Sequence, residues 1–109
     1  MAKIELKDFV NYGKLFEEYA SLLSAERRQI MHLYFDLNMT LAEISKEKNI
    51  SRQAVKDMIT KSCEKLDYYE NSLKNVQKKE KIAKKLEKIK NLNDLNEIKL
   101  KVESLIGEI

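Results

Sequence analysis

Proline is absent from the 109 residues, and glycine occurs only at Gly13 and Gly107. A chain without those punctuators has few places for tight hairpin turns, and no stretch alternates apolar and polar residues cleanly. Strands are therefore not expected, and an all-α protein follows. Cysteine occurs once, at Cys63, which excludes an internal disulfide framework and fits a reducing compartment. Histidine also occurs once, at His32. One imidazole and one thiol, well apart in the chain, argue against a zinc site or a Cys/His catalytic pair. Cys63 reads as a small packing residue and His32 as a satisfied structural one. No apolar run nears the roughly 20 residues needed to span a bilayer, so no membrane insertion is expected. The opening MAKIELKDFV lacks the apolar core and small-residue cleavage site of a secretory leader. A cytoplasmic protein is expected. There is no glycine-rich phosphate loop, no nucleophile beside a base and no cluster with metal-ligand spacing. Neither enzymatic activity nor a cofactor is expected.

What is present is charge and helical periodicity. Charged residues make up 36% of the chain and hydrophobic ones 43%, enough apolar matter for one small core with a heavily charged surface. The net charge of +3 is unevenly spread. Residues 1–70 carry 11 basic against 12 acidic side chains, residues 71–90 carry 8 against 2, and residues 91–109 carry 2 against 4. The positive block is thus a C-terminal feature.

The stretch 40–61, TLAEISKEKNISRQAVKDMITK, organises the rest. Thr40 and Glu43 have the spacing of a capping box that opens a helix over about 41–47. Asn49 tolerates the left-handed backbone that ends a helix, and Ile50 can pack back into the corner. Ser51 caps a second helix over about 52–70. Leu41, Ile44 and the small Ser45 share one face of the first helix; Ala54, Val55, Met58, Ile59, Ser62 and Leu66 form the buried stripe of the second. This is a helix-turn-helix, the layout that sets a helix in a nucleic-acid groove. Arg52, Gln53, Lys56, Asp57, Thr60 and Lys61 are left facing outward. Arg and Gln can contact base edges in pairs of hydrogen bonds, while Ser51, Thr60 and the lysines can hold phosphates. The candidate nucleic-acid-binding residues are therefore Ser51, Arg52, Gln53, Lys56, Thr60 and Lys61. Against this stands the ordinary solvated helix face, and the net charge of +2 within 40–66 is modest for phosphate neutralisation.

Two further helices are expected upstream. Over about 8–22, Phe9, Tyr12, Leu15, Phe16, Tyr19, Leu22 and Leu23 recur at three- and four-residue steps, a wide aromatic face that reads as core, with Gly13 allowing close packing. Over about 25–37, capped by Ser24, the inner face is Ile30, Leu33, Tyr34 and Leu37, with Met31 beside them. The strings LSAERRQIMHLYF (23–35), TLAEIS (40–45) and ISRQAV (50–55) resemble the C-terminal helix-turn-helix, region four, of bacterial sigma factors. They are more similar still to the small YlxM family, in which an aromatic-rich helix precedes the motif and a charged helical arm follows. The resemblance covers roughly residues 9–70. One position departs from it: Lys56 stands where the family often has an aromatic residue. Genes of that family tend to lie beside those of the signal recognition particle GTPase and its receptor. The resemblance thus implies a regulatory or accessory role in protein targeting, with the particle's RNA or GTPase as partner.

Beyond the motif the sequence reads as a Lys-rich helical arm over 71–109, with helices at about 72–90 and 94–107, the latter capped by Asn93 or Asp94. Leu66, Tyr69, Leu73, Val76, Glu80 and Ala83 step by threes and fours like a heptad seam, extended by Leu86 and Ile89. An unbroken helix from Ser51 to Lys90 would be about 60 Å long, so it must bend near Asn71-Ser72 or project to a partner. Leu95, Ile98, Val102 and Leu105 form a second stripe. Two such stripes with little core of their own favour a homodimer joined through the arms. Lys78, Lys79, Lys81, Lys84, Lys85 and Lys88 form a secondary basic patch suited to phosphates, or else a solubilising outer face. Two functions follow: an accessory protein of targeting that binds RNA or the GTPase, or a dimeric DNA-binding transcriptional regulator.

Overall fold

The computed structural model describes residues 6–109; residues 1–5, part of the stretch weighed above as a leader, lie outside the described residues. The described chain is all helical and forms two compact units, one ending at Lys74 and one spanning Asn75–Ile109. The first unit contains α1 (Leu6–Tyr19), α2 (Ala25–Met31), α3 (Leu41–Lys48) and α4 (Arg52–Leu73). The second contains α5 (Asn75–Lys90) and α6 (Leu95–Gly107).

Local chemistry sets most of these ends. Ser24 Oγ accepts from the Arg27 amide at 3.3 Å and opens α2. Thr40 and Glu43 close the expected capping box: the Glu43 amide donates to Thr40 Oγ1 at 3.1 Å, and the Thr40 amide donates to Glu43 Oε1 at 3.0 Å. Those bonds favour the Glu43 carboxylate and hold it below its usual range. Asp94 caps α6, accepting from the amides of Asn96 and Glu97 at 2.8 and 3.2 Å.

The core of the first unit is built on α4, whose Val55, Ile59, Cys63 and Leu66 are buried against Phe16 and Tyr19 of α1, Ile30 and Met31 of α2 and Ile44 of α3. Each such aliphatic side chain removed from water contributes about 1.5–3 kcal/mol. Cys63 is a packing residue, and burial pushes its thiol up from 9.0 to about 12. Ser62 is buried beside it with no hydrogen-bond partner for Oγ, at a cost of about 1–3 kcal/mol. The periphery of the core is aromatic: the Phe9 ring lies 4.9 Å from Phe35 and 5.6 Å from Tyr34. Tyrosine hydroxyls then fasten α1 to α4. Tyr12 donates to Asp67 at 2.7 Å and Tyr19 donates to Glu70 at 2.6 Å.

Five sequence expectations change. Leu22, expected on the core face of the first helix, is 51% exposed in a 3₁₀ turn, Ala20–Leu22, that follows α1. A π-helical turn, His32–Asp36, follows α2, closed by the Leu37 amide donating to His32 O at 3.1 Å. The wider turn accommodates one extra residue and shifts the register. Phe35 is buried, whereas Leu37, expected on the inner face, is 55% exposed. His32 lies on this turn, exposed and bonded to Asp36 at 2.7 Å. Gly13 is not needed for close packing, because a Cβ there would meet Phe35 Cδ1 at an ordinary 4.0 Å. The expected seam through Leu66, Tyr69, Leu73 and Val76 is not continuous. Lys74 takes a left-handed backbone, φ 55°, so α4 stops at Leu73 rather than bending near Asn71-Ser72. Finally, Leu66 and Tyr69 serve their own unit. Leu66 is fully buried in the core, and Tyr69 packs on the Tyr19 ring at 5.9 Å and donates to Leu22 O at 3.3 Å.

In the second unit α5 packs on α6 around Leu105, the one buried apolar side chain among its described residues. Val76, Ile89 and Ile98 are half-buried, while Ala83, Leu86, Leu95 and Val102 are exposed. Lys85 donates to Glu108, tying the end of the chain to α5.

Candidate nucleic-acid interface

The turn between α3 and α4 fixes how the second helix is presented. Asn49 adopts φ 54°, ψ 46°. The Ile50 amide donates to Ser45 O at 3.1 Å and the Asn49 amide to Lys46 O at 3.3 Å, the paired bonds of a Schellman ending. Ser51 follows at once as the cap of α4, its Oγ accepting from the Ala54 amide at 3.0 Å. Three residues thus reverse the chain with both helix ends satisfied. Ile44, Val55 and Ile59, all fully buried, lock the pair. The α3 end is also tied to α2, where Lys48 Nζ donates to Gln29 Oε1 at 2.8 Å.

The face of α4 turned away from this core carries the six sequence candidates, but not on equal terms. Arg52 and Lys61 are exposed, and Lys56 is half-buried between them. Ser51 spends its oxygen on the cap. Thr60 Oγ1 donates back to Lys56 O at 2.9 Å, as a hydroxyl inside a helix tends to do. Gln53 Nε2 donates to Asp57 Oδ1, one turn on, at 2.9 Å. The readily offered chemistry is therefore the exposed cations Arg52 and Lys61, with Lys56 half-buried and the Gln53–Asp57 pair lying between them in the chain. That arrangement grips phosphate more readily than it reads bases, since the Gln53 amide must leave Asp57 before it can pair with an adenine edge.

The same face continues past the motif. Lys61, Lys65 and Tyr68 follow at steps of four and three, with Glu64 between them. Together with Arg27 of α2 and Tyr69 they line an open groove of about 450 Å³. Sequence reasoning stopped at Lys61 because the motif ends there. The helical spacing of 61, 65 and 68 was a signal for the extension; the arrival of Arg27 from another helix was not.

The secondary basic patch lies on α5. By their spacing Lys78, Lys81, Lys84, Lys85 and Lys88 fall within about 120° around the helix, whereas Lys79 falls on another side. Lys85 and Lys88 border a groove of about 680 Å³ between α5 and α6, floored by Ile89, Leu92 and Leu105. Five of the six lysines therefore make one broad positive face, with Lys79 outside it.

Comparison with known proteins adds to this geometry. The family model described as "Putative helix-turn-helix protein, YlxM / p13 like" matches residues 6–105. The chain is similar to a UPF0122 protein of Fusobacterium nucleatum, 39% identical over 78% of this chain and 82% of the relative. It is also similar to one of Caldanaerobacter subterraneus, 37% identical over 76% and 71% of the two chains. A UPF0122 protein of Clostridium novyi is 33% identical and matches nearly end to end, over 95% of this chain and 96% of the relative.

Proposed function

The chain belongs to the YlxM/p13-like family of helix-turn-helix proteins, and from that premise we propose that it is a non-catalytic regulator that works by binding nucleic acid. The observation that carries this reading is the pair of exposed cations Arg52 and Lys61, with the half-buried Lys56 between them in the chain, on the second helix of the motif, whose inner face is fully buried. Its partner in our reading is the structured RNA of the signal recognition particle, with the Lys-rich α5 adding phosphate contacts. The support is the family's gene neighbourhood together with a face better equipped to hold phosphates than to read bases. Native purification at about 0.2 M salt tests it. Enrichment of one small structured RNA supports the reading. Recovery of the particle's GTPase without RNA moves the partner to protein, and recovery of neither ends the targeting role.

A second reading is a dimeric DNA-binding transcriptional regulator, favoured by the standard α3–α4 turn and by the apolar residues exposed on the second unit. Leu86, Leu95 and Ile106 are 49%, 63% and 63% exposed, and a 35-residue hairpin with so small a core gains stability by pairing with a second copy. In this reading discrete genomic loci co-purify, Arg52→Ala costs about 1–3 kcal/mol at one base position, and sedimentation gives twice the chain mass of 12.8 kDa.

A further inference from the structure

Eight aromatic side chains occur in the sequence, and seven are accounted for by packing. Phe16, Tyr19 and Phe35 are buried; Phe9, Tyr12, Tyr34 and Tyr69 are half-buried. Tyr68 is the exception, 68% exposed on the outward side of α4. An aromatic ring left in water contributes nothing to the core, and a lone exposed ring is ordinary in itself, so a reason for it outside the fold must come from its surroundings.

Its surroundings supply one. Tyr69 meets Tyr68 at 6.0 Å and 67°, and Tyr69 is itself held by the Tyr19 ring and the Leu22 carbonyl. The exposed ring therefore stands on an anchored support. Around it, Arg27, Lys61 and Lys65 set three positive charges against the single Glu64 in a groove of about 450 Å³. Lys61 belongs to the proposed nucleic-acid face as well, seven residues or about 10 Å along the helix from Tyr68. A flat π-surface beside several cations, continuous with a phosphate-gripping face, is the combination that takes an extruded base and its phosphate. A base inside a duplex keeps its faces stacked and cannot use such a ring.

We propose that the Arg27–Lys61–Lys65–Tyr68 groove is a second contact site, holding one unpaired nucleotide with its base stacked on Tyr68 and its phosphate on the three cations. The proposal rests on the nucleic-acid-binding reading and specifies what that ligand must contain. An RNA loop or a single-stranded DNA segment can provide the nucleotide, and the test separates them.

Three probes share one stem: an RNA hairpin with an iodouridine-substituted loop, the DNA hairpin of matching sequence, and the fully paired duplex. The full chain should bind a hairpin more tightly than the duplex and photocross-link from its loop to Tyr68. Tyr68→Ala should weaken hairpin binding roughly 5- to 100-fold and leave duplex binding unchanged, whereas Tyr68→Phe should keep both. Preference for the RNA or the DNA hairpin names the source. Arg52→Ala should weaken all probes together. If Arg52→Ala weakens binding while Tyr68→Ala does not, the groove proposal is overturned and the nucleic-acid reading survives. If the unaltered chain binds none of the probes, both fall.

Discussion

Asp57 offers the sharpest test of how the α4 face is used. Its carboxylate is exposed on the helix that carries Arg52, Lys56 and Lys61 and accepts from Gln53 at 2.9 Å. Asp57→Asn keeps an oxygen that can accept from Gln53, so the substitution removes charge with little change of shape. If α4 lies against a phosphate backbone, that carboxylate opposes binding. At about 7 Å in a medium as polar as water, one phosphate repels it by about 0.6 kcal/mol, and two nearby phosphates bring the total to about 1 kcal/mol. Asp57→Asn should therefore tighten binding roughly fivefold, and the gain should shrink as salt is raised. Fluorescence anisotropy with a labelled RNA hairpin, at about 0.05 and 0.2 M salt, measures both quantities. Glu17→Gln, on exposed α1 surface, is the control for a change in overall charge. Unchanged binding would refute the placement of α4 against phosphates. Weaker binding would refute it differently, by showing that the carboxylate accepts a hydrogen bond from the ligand, as it would from a cytosine amine.

Two predictions concern the fold that presents this face. Tyr12→Phe should cost about 1 kcal/mol in urea denaturation near neutral pH, because it removes the bond to Asp67 across α1 and α4. The Asp67 hydrogen bond, then burial, raise the folded Tyr12 hydroxyl above 10.0, so its contribution is complete below that value and is lost as the pH climbs beyond it. The variant should lose stability less steeply above about pH 10, and equal slopes would contradict the assignment. Cys63 should resist thiol reagents: at about pH 8 a thiol at about 12 holds roughly a thousandfold less thiolate than one at 9.0, before its burial is counted. Labelling by a chromogenic disulfide should be slow in buffer and immediate in strong denaturant, and comparable rates would contradict the packing described.

The helix ends were legible in the sequence because each is decided within a few residues. Thr40 with Glu43, Asn49 with Ile50, the caps Ser24 and Ser51, and Asp94 from the pair Asn93/Asp94, all satisfy backbone groups two to five positions away, whatever the rest of the chain does. The buried stripe of α4 was legible for a related reason: a 3.6-residue period commits a side chain to one face. So was the outward direction of Arg52 and Lys61, whereas Lys56 is half-buried. Tertiary structure decided what those directions could not. The π-helical turn at His32–Asp36 fits Phe35 into the core at the expense of Leu37, a choice that depends on Phe9 waiting across the gap. Lys74 ends α4 in a backbone conformation that lysine has no intrinsic reason to prefer, so no local signal announced it. Tyr69 and Tyr68 are neighbours of identical chemistry. Only the position of α1 half-buries one against Tyr19 and leaves the other in water beside Arg27, because burial is a property of what arrives from elsewhere in the chain.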